Sequence, residues 1–169
     1  MERTRLGKVL RGFFWAVLAT LLVIQFFSPT ANNSNDQTNI VSRAFETPDQ
    51  VVGILKTSCF DCHSNLTIYP WYSKVQPIAW WLDDHIVEGK KEMNFSEFAA
   101  YSPRRQFKKF NEIIEQIEED EMPLSSFTLV HQDAKLSADQ KSALVQWAKT
   151  CQEKMKQQYP IDSLQKKKG

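Results

Sequence analysis

The stretch GFFWAVLATLLVIQFF, Gly12 to Phe27, constrains this chain more than any other. Only Thr20 and Gln25 interrupt it, and Arg3, Arg5, Lys8 and Arg11 come before it. In hydrocarbon every backbone N–H and C=O must be bonded within the segment, so a single run of this kind is restricted to a helix. Sixteen residues are fewer than the roughly 20 that span a bilayer, but Val9 and Leu10 extend the run and Arg11 can snorkel to the headgroups. A cleaved export signal is the alternative. Such signals have a shorter apolar core and end in a small-x-small site, whereas Pro29 stands where the first small residue belongs if Ala31 were the last residue removed. The expectation is therefore an uncleaved anchor over residues 1–28. Four positive charges precede the run and none lies between Phe27 and Arg43, which keeps the N-terminus cytoplasmic and exports everything from Ser28 onward.

The exported part has the size of one compact domain. A formal net charge of +1 leaves no basic footprint for nucleic acid, and the Lys166-Lys167-Lys168 end is a solvated tail rather than a binding patch. TANNSNDQTN, Thr30 to Asn39, is polar without an apolar period and reads as a tether. The expected organisation is an anchor at 1–28, a flexible linker at 29–45, a domain at 46–158 and a basic tail at 159–169.

Helical signals dominate that domain. Thr47-Pro48-Asp49-Gln50 has the form of a capping box with proline at the first helical position, ahead of Val51, Val52, Ile54 and Leu55. Pro77 opens a second helix, IAWWLDDHIVEG, expected to end near Gly89. Ser102-Pro103 opens a third, in which Phe107, Phe110, Ile113, Ile114 and Ile117 recur at helical spacing. Ser137-x-x-Gln140 opens a fourth, with Leu144, Val145, Trp147, Ala148 and Cys151 on or near one face. No segment alternates with a strand period for long, so the fold class is all-α.

The chemistry is concentrated in SCFDCHSN, Ser58 to Asn65. With three Cys and three His in 169 residues, chance would place a Cys-x-x-Cys-His pattern in about one such sequence in a thousand. Thiol exchange by Cys59 and Cys62 would call for a βαβ context that the sequence does not suggest. Structural zinc would need a fourth ligand beside Cys59, Cys62 and His63, with only His85 or His131 to supply it. Covalent c-type haem needs this set: two thiols for two vinyl groups and an adjacent imidazole for one axial position of the iron. If the segment is helical, Cys59 and Cys62 share a side and His63 is displaced by part of a turn.

CFDCHSN, YPWY (Tyr69 to Tyr72), PIAWWLDDHIVEG (Pro77 to Gly89), NFSEF (Asn94 to Phe98), MPL (Met122 to Leu124), HQDAKLS (His131 to Ser137) and LVQW (Leu144 to Trp147) together resemble the bacterial haem-binding domain family. That family is similar to small class I cytochromes c in the order of its parts: helix, attachment motif, middle helices, methionine loop and C-terminal helix. The resemblance covers about Thr47 to Trp147. It departs from a minimal cytochrome c in the long interval between His63 and Met122.

For the distal position of the iron the candidate is Met122, whose loop is stiffened by Pro123, with His85 and His131 as competitors. Trp71, Tyr72, Trp80, Trp81 and Trp147 are candidates for the wall of a haem pocket or for plain core. Trp71 or Trp80 is the expected hydrogen-bond donor to a propionate. Pro70 or Pro77 is the expected source of the carbonyl that orients the second nitrogen of His63. Cys151 reads as a buried small hydrophobe, and Met93 and Met155 as gap-filling or surface residues. The expected function is that of a monohaem c-type cytochrome on a single span of the inner membrane, facing the periplasm. It would carry electrons between redox partner proteins rather than act as an enzyme. A haem sensor or peroxidase-like protein with an open distal site is the alternative.

Overall fold

The computed structural model describes residues 2–165, with side chains from residue 5 onward. The tail at residues 166–169 and the side chain of Arg3 lie outside the described residues. Among the described residues the chain is all-α, as expected, and the one extended pairing is an isolated bridge between Asn33 and Leu66. The helices are α1 (Glu2–Ile24), α2 (Val41–Ala44), α3 (Asp49–Ser58), α4 (Phe60–His63), α5 (Ile78–Glu92), α6 (Pro103–Glu118), α7 (Ser125–Val130), α8 (Ala138–Gln158) and α9 (Ile161–Leu164). They divide into two compact units, Met1–Ala31 with Tyr69–His85, and Asn32–Ile68 with Ile86–Gly169.

The first unit is built on α1. Over Arg5–Ile24 this helix is long and apolar enough to cross a membrane, and none of that stretch is buried within the protein. It closes with a turn in which the backbone N–H groups of Gln25, Phe26 and Phe27 bond to the carbonyls of Leu22, Val23 and Ile24. Gln76 then caps α5, its Oε1 accepting from the backbone N–H of Trp80 at 3.2 Å.

The second unit holds the core. The apolar period of α6 is realised: Phe107, Phe110, Ile113 and Ile117 are buried, and Ile114 sits at the edge. This face packs on α8, where Leu144, Trp147, Ala148 and Cys151 are buried together with Met155. Phe110 lies at the centre, 4.9 Å from the ring of Phe45, 5.0 Å from Phe98 and 5.5 Å from Trp147, mostly in edge-on contacts that suit the aromatic quadrupole. Cys151 is the buried small hydrophobe that its place on α8 implied.

Helix starts follow the sequence where a side-chain cap forms. Ser102 accepts from the backbone N–H of Arg105, and Ser137 and Gln140 complete a reciprocal capping box. Thr47 does not: α3 begins at Asp49 with Pro48 as its N-cap, and the Thr47 hydroxyl donates to the carbonyl of Phe45. Proline at the cap moves the helix start one residue on, leaving Thr47 out of reach of the first turn. α5 also runs past Gly89 to Glu92, because Gly89 stays helical in φ. The stretch read as a tether ends earlier than residue 45. Val41 and Phe45 are buried in the core, and Val41 N–H donates to the carbonyl of Phe95. The basic tail likewise begins later than residue 159, since α9 packs on α6 and buries Leu164.

Candidate cofactor site

The Cys-x-x-Cys-His segment is not one continuous helix. α3 stops at Ser58, Cys59 adopts φ −130° and ψ −41°, and the single turn α4 carries Phe60 to His63. Cys59 nevertheless stays in register, its N–H bonded to Leu55 and its carbonyl accepting from His63 at 2.9 Å. Cys59 and Cys62 are free and half-buried. Burial, with the neighbouring Cys62, pushes the Cys59 thiol up to about 12; burial, with Asp61 beside it, pushes Cys62 up to about 11. A thiol used for disulfide exchange has its pKa lowered so that the thiolate is present at neutral pH. These two are held as neutral thiols, the opposite arrangement.

His63 is fixed at one nitrogen and available at the other. Its Nδ1 lies 2.9 Å from the carbonyl oxygen of Met93, and since a carbonyl only accepts, Nδ1 carries the hydrogen and Nε2 the lone pair. Burial lowers the pKa of the ring and favours the neutral form. The orienting carbonyl is therefore that of Met93 at the end of α5, not of Pro70 or Pro77 as the sequence suggested. It is there because α5 runs one turn past Gly89, whose own carbonyl accepts from the backbone N–H of Met93.

A polar knot anchors the segment from behind. His63 carbonyl accepts from Phe95 N–H at 2.7 Å, Asn94 Nδ2 donates to Asn65 Oδ1 at 2.8 Å, and Ser96 Oγ accepts from Asn65 N–H at 3.0 Å. Asn65 Nδ2 also donates to Glu97 Oε1 at 2.8 Å. Ser64, Asn65, Asn94 and Ser96 are all buried, so each bond is retained in a low-dielectric setting where losing a partner is costly. The blocks HSN and NFSEF thus hold the attachment motif in place through their short polar side chains. Their concentration of short hydrogen-bonding side chains beside the attachment motif was the available signal.

Gly89 was also missed as a site residue. A Cβ there would lie 2.7 Å from the carbonyl oxygen of Cys62 and 3.2 Å from its Cβ. The absence of a side chain lets α5 lie directly against the cysteine turn. A glycine inside a helical pattern is itself a mark of close approach.

In front of His63 is a cavity of about 410 Å³, within the ~300–1,000 Å³ typical of sites for small organic ligands. Cys59, His63, Met122 and Pro123 line it, with an apolar wall of Leu55, Phe95, Ile113, Ile117 and Leu144. The structure thus brings Met122, 59 positions on in sequence, to the same cavity as His63. Its one polar quarter is formed by Lys109, Glu92, Glu112 and Gln116. Lys109 is buried and bonds Glu112 at 2.5 Å and Glu92 at 3.4 Å. Burial would raise the Glu112 carboxyl, but hydrogen bonds from Lys109 and Lys108 outweigh it and hold the pKa lowered.

The competitors for the distal position are elsewhere. His85 belongs to the first unit and bonds Trp81 carbonyl through Nδ1, and His131 stacks on Phe127 with ring centroids 4.4 Å apart. Neither lines the cavity. Nor do Trp71, Tyr72, Trp80 and Trp81, all in the first unit, while Trp147 is core and donates its N–H to Glu46 carbonyl. Of the two readings offered for these aromatics, pocket wall or core, Trp147 takes the second and Trp71, Trp80 and Trp81 are exposed, so the wall is built from Phe95 and aliphatic side chains of α3, α6 and α8. Met93 both orients His63 through its backbone carbonyl and lines the cavity, as Met122 does, and Met155 is core.

Among the described residues no group of three or more His, Cys, Asp or Glu side chains is placed to hold a metal ion, so a zinc site built on Cys59, Cys62 and His63 lacks its donors. A haem fits what is present: a largely apolar cavity lined by the His63 imidazole, the Cys59 thiol and two thioethers, Met93 and Met122, with the Cys62 thiol beside it in the motif but outside the lining. No curated protein and no solved structure matches the chain. A family model does, the haem-binding domain, over residues 19–150, which begins inside α1 and runs through the middle of α8. That match covers most of the chain, and with the cavity in front of His63 it establishes that the protein belongs to the haem-binding domain family.

Proposed function

We propose that the protein is a membrane-anchored monohaem c-type cytochrome that passes electrons between redox partner proteins on the periplasmic side of the inner membrane. The observation that carries this is the shared cavity: His63, its Nδ1 tied to Met93, and Met122 line one apolar space beside Cys59. In this reading Cys59 and Cys62 would hold the haem through two thioethers, and Nε2 of His63 and the thioether of Met122 would ligate its iron. Trp71 and Trp80 do not line this cavity, and Lys109, the one lysine that does, is already paired with Glu112 and Glu92. A bound haem would supply a one-electron couple, and ligation by a thioether together with an imidazole would favour its reduced state.

The rest of the site acts on that couple indirectly. The apolar wall excludes water, and the knot through Asn65, Asn94 and Ser96 keeps the motif from shifting between oxidation states. Filling both axial positions leaves no place for substrate, which favours a carrier over a sensor or peroxidase-like protein.

The test is a haem-stained denaturing gel beside a reduced-minus-oxidised spectrum. The parent is expected to keep haem through denaturation and to show a low-spin spectrum. Cys59→Ser with Cys62→Ser is expected to lose haem on denaturation, and His63→Ala to keep some covalent haem without the low-spin bands. Haem that survives denaturation in the double variant would overturn covalent attachment. Rapid carbon monoxide binding by the reduced parent would favour the open-site alternative.

A further inference from the structure

We propose that the segment Tyr69–His85 is a second membrane contact, seated in the lipid interface where α1 leaves the bilayer. The inference rests on the reading of α1 as an uncleaved span. The end of the apolar run is joined to this segment by a compact set of hydrogen bonds. The side-chain amide of Gln25 accepts from Gln76 N–H at 3.0 Å and donates to Gln76 carbonyl at 3.2 Å. The carbonyl of Phe27 accepts twice, from Gln76 Nε2 at 2.9 Å and from the indole N–H of Trp80 at 2.7 Å.

Two consequences follow. The backbone at the exit of α1, which would otherwise present unpaired carbonyls, is satisfied by protein and so tolerates the low dielectric at the edge of the hydrocarbon. Second, whatever is bonded to Phe27 lies at the same depth as the last residue of the apolar run, to within a side-chain length. The indole of Trp80 is therefore placed at the boundary itself.

The surface offered at that depth is aromatic and apolar. Phe26 is 87% exposed and Trp71 81% exposed, and Phe27, Val75, Ile78, Trp80 and Trp81 are exposed as well. This many exposed aromatic and aliphatic side chains in one short segment fit water poorly, whereas tryptophan with its N–H bonded and its ring free is the residue favoured at the membrane interface. The occupant is the lipid surface rather than a protein, since Gln76 and Trp80 are hydrogen-bonded to the end of a helix of bilayer length. The family match includes the C-terminal end of α1 from residue 19 and the segment bonded to it.

The experiment uses the full, haem-loaded chain in phosphatidylcholine vesicles. A small fluorophore is attached at single positions, Val75→Cys or Ile78→Cys, in a Cys151→Ala background, with Val17→Cys and Lys149→Cys as references. Quenching by nitroxide-bearing lipids is compared with quenching by aqueous iodide. The expected result is strong lipid quenching at 17, iodide access at 75 and 78 several-fold below that at 149, and recovery of iodide access at both when Trp71 and Trp81 are replaced by Ala. If position 17 is deep but 75 and 78 match 149, the interfacial contact is wrong and the anchor stands. If position 17 is itself open to iodide, or the chain leaves the membrane in an alkaline wash, the anchor reading fails and this inference with it.

Discussion

At the scale of single residues, the site depends on which atom of each side chain is already committed. His63 can offer Nε2 because Nδ1–H is bonded to Met93 carbonyl, so the tautomer is decided by a backbone group thirty positions away. Met122 is the residue whose assignment most needs a measurement. Met122→Ala is expected to keep covalent haem, lose the weak far-red band of an iron–thioether bond, admit carbon monoxide and lower the reduction potential. Met122→His should remain six-coordinate with a potential well below the parent. His85→Ala and His131→Ala are expected to keep the band, because neither side chain lines the cavity. Visible spectra and a potentiometric titration of the four variants check this. A high-spin His85 or His131 variant beside an unchanged Met122→Ala would transfer the ligand to that histidine. Cys59, Cys62 and His63 were legible as a set from spacing alone. The Met93 carbonyl was not, because a backbone acceptor leaves no trace in residue identity.

At the scale of elements, the contact between α5 and the cysteine turn sets the geometry of the motif. Alanine in place of glycine inside a helix ordinarily stabilises it by about 0.5–1 kcal/mol. Gly53 in α3 has nothing within 4 Å of an added Cβ and is exposed, so Gly53→Ala is expected to follow that rule. Gly89→Ala places its Cβ against the Cys62 carbonyl, and neither backbone can retreat without breaking the His63–Met93 bond or the knot behind it. A net loss of about 1–3 kcal/mol, the usual range for overpacking, is expected, with a perturbed haem spectrum. Denaturant melts of the two variants, read beside their spectra, separate these outcomes. The same elements show what capping signals can and cannot predict. The caps at Ser102 and Ser137 were read from sequence, since each needs only its own first turn. The extension of α5 past Gly89 was not, because the reason for that glycine lies on another element.

On the scale of the whole molecule, every residue lining the cavity belongs to the unit Asn32–Ile68 with Ile86–Gly169. Replacing residues 1–31 by a cleavable export signal is therefore expected to leave the haem spectrum unchanged while weakening attachment to the membrane. The full chain should stay in the membrane fraction through a high-salt or alkaline wash. The core of this unit centres on Phe110, fully buried among Phe45, Phe98 and Trp147, and Phe110→Ala should cost about 3–5 kcal/mol, measurable as a lowered denaturation midpoint.

The sequence by itself determined the features that depend on neighbours along the chain. These are an apolar helix of bilayer length at the N-terminus, an all-α domain, the faces of α6 and α8, and the pairing of two thiols with an adjacent imidazole. Each follows from periodicity, capping chemistry or a short motif, which are local properties. Only the tertiary structure decided what depends on distant segments meeting. It brought Met122 and Lys109 to the cavity of His63 and placed Met93 carbonyl behind the imidazole. It also put Val41, Phe45 and Leu164 in the core, where sequence pattern had suggested a tether and a tail, because one or two apolar residues in a short polar segment carry no period. The tryptophans mark the limit most clearly. Composition allows Trp71, Trp80, Trp81 and Trp147 the same burial, yet only Trp147 is core, and the others stay exposed in the unit that closes the end of α1.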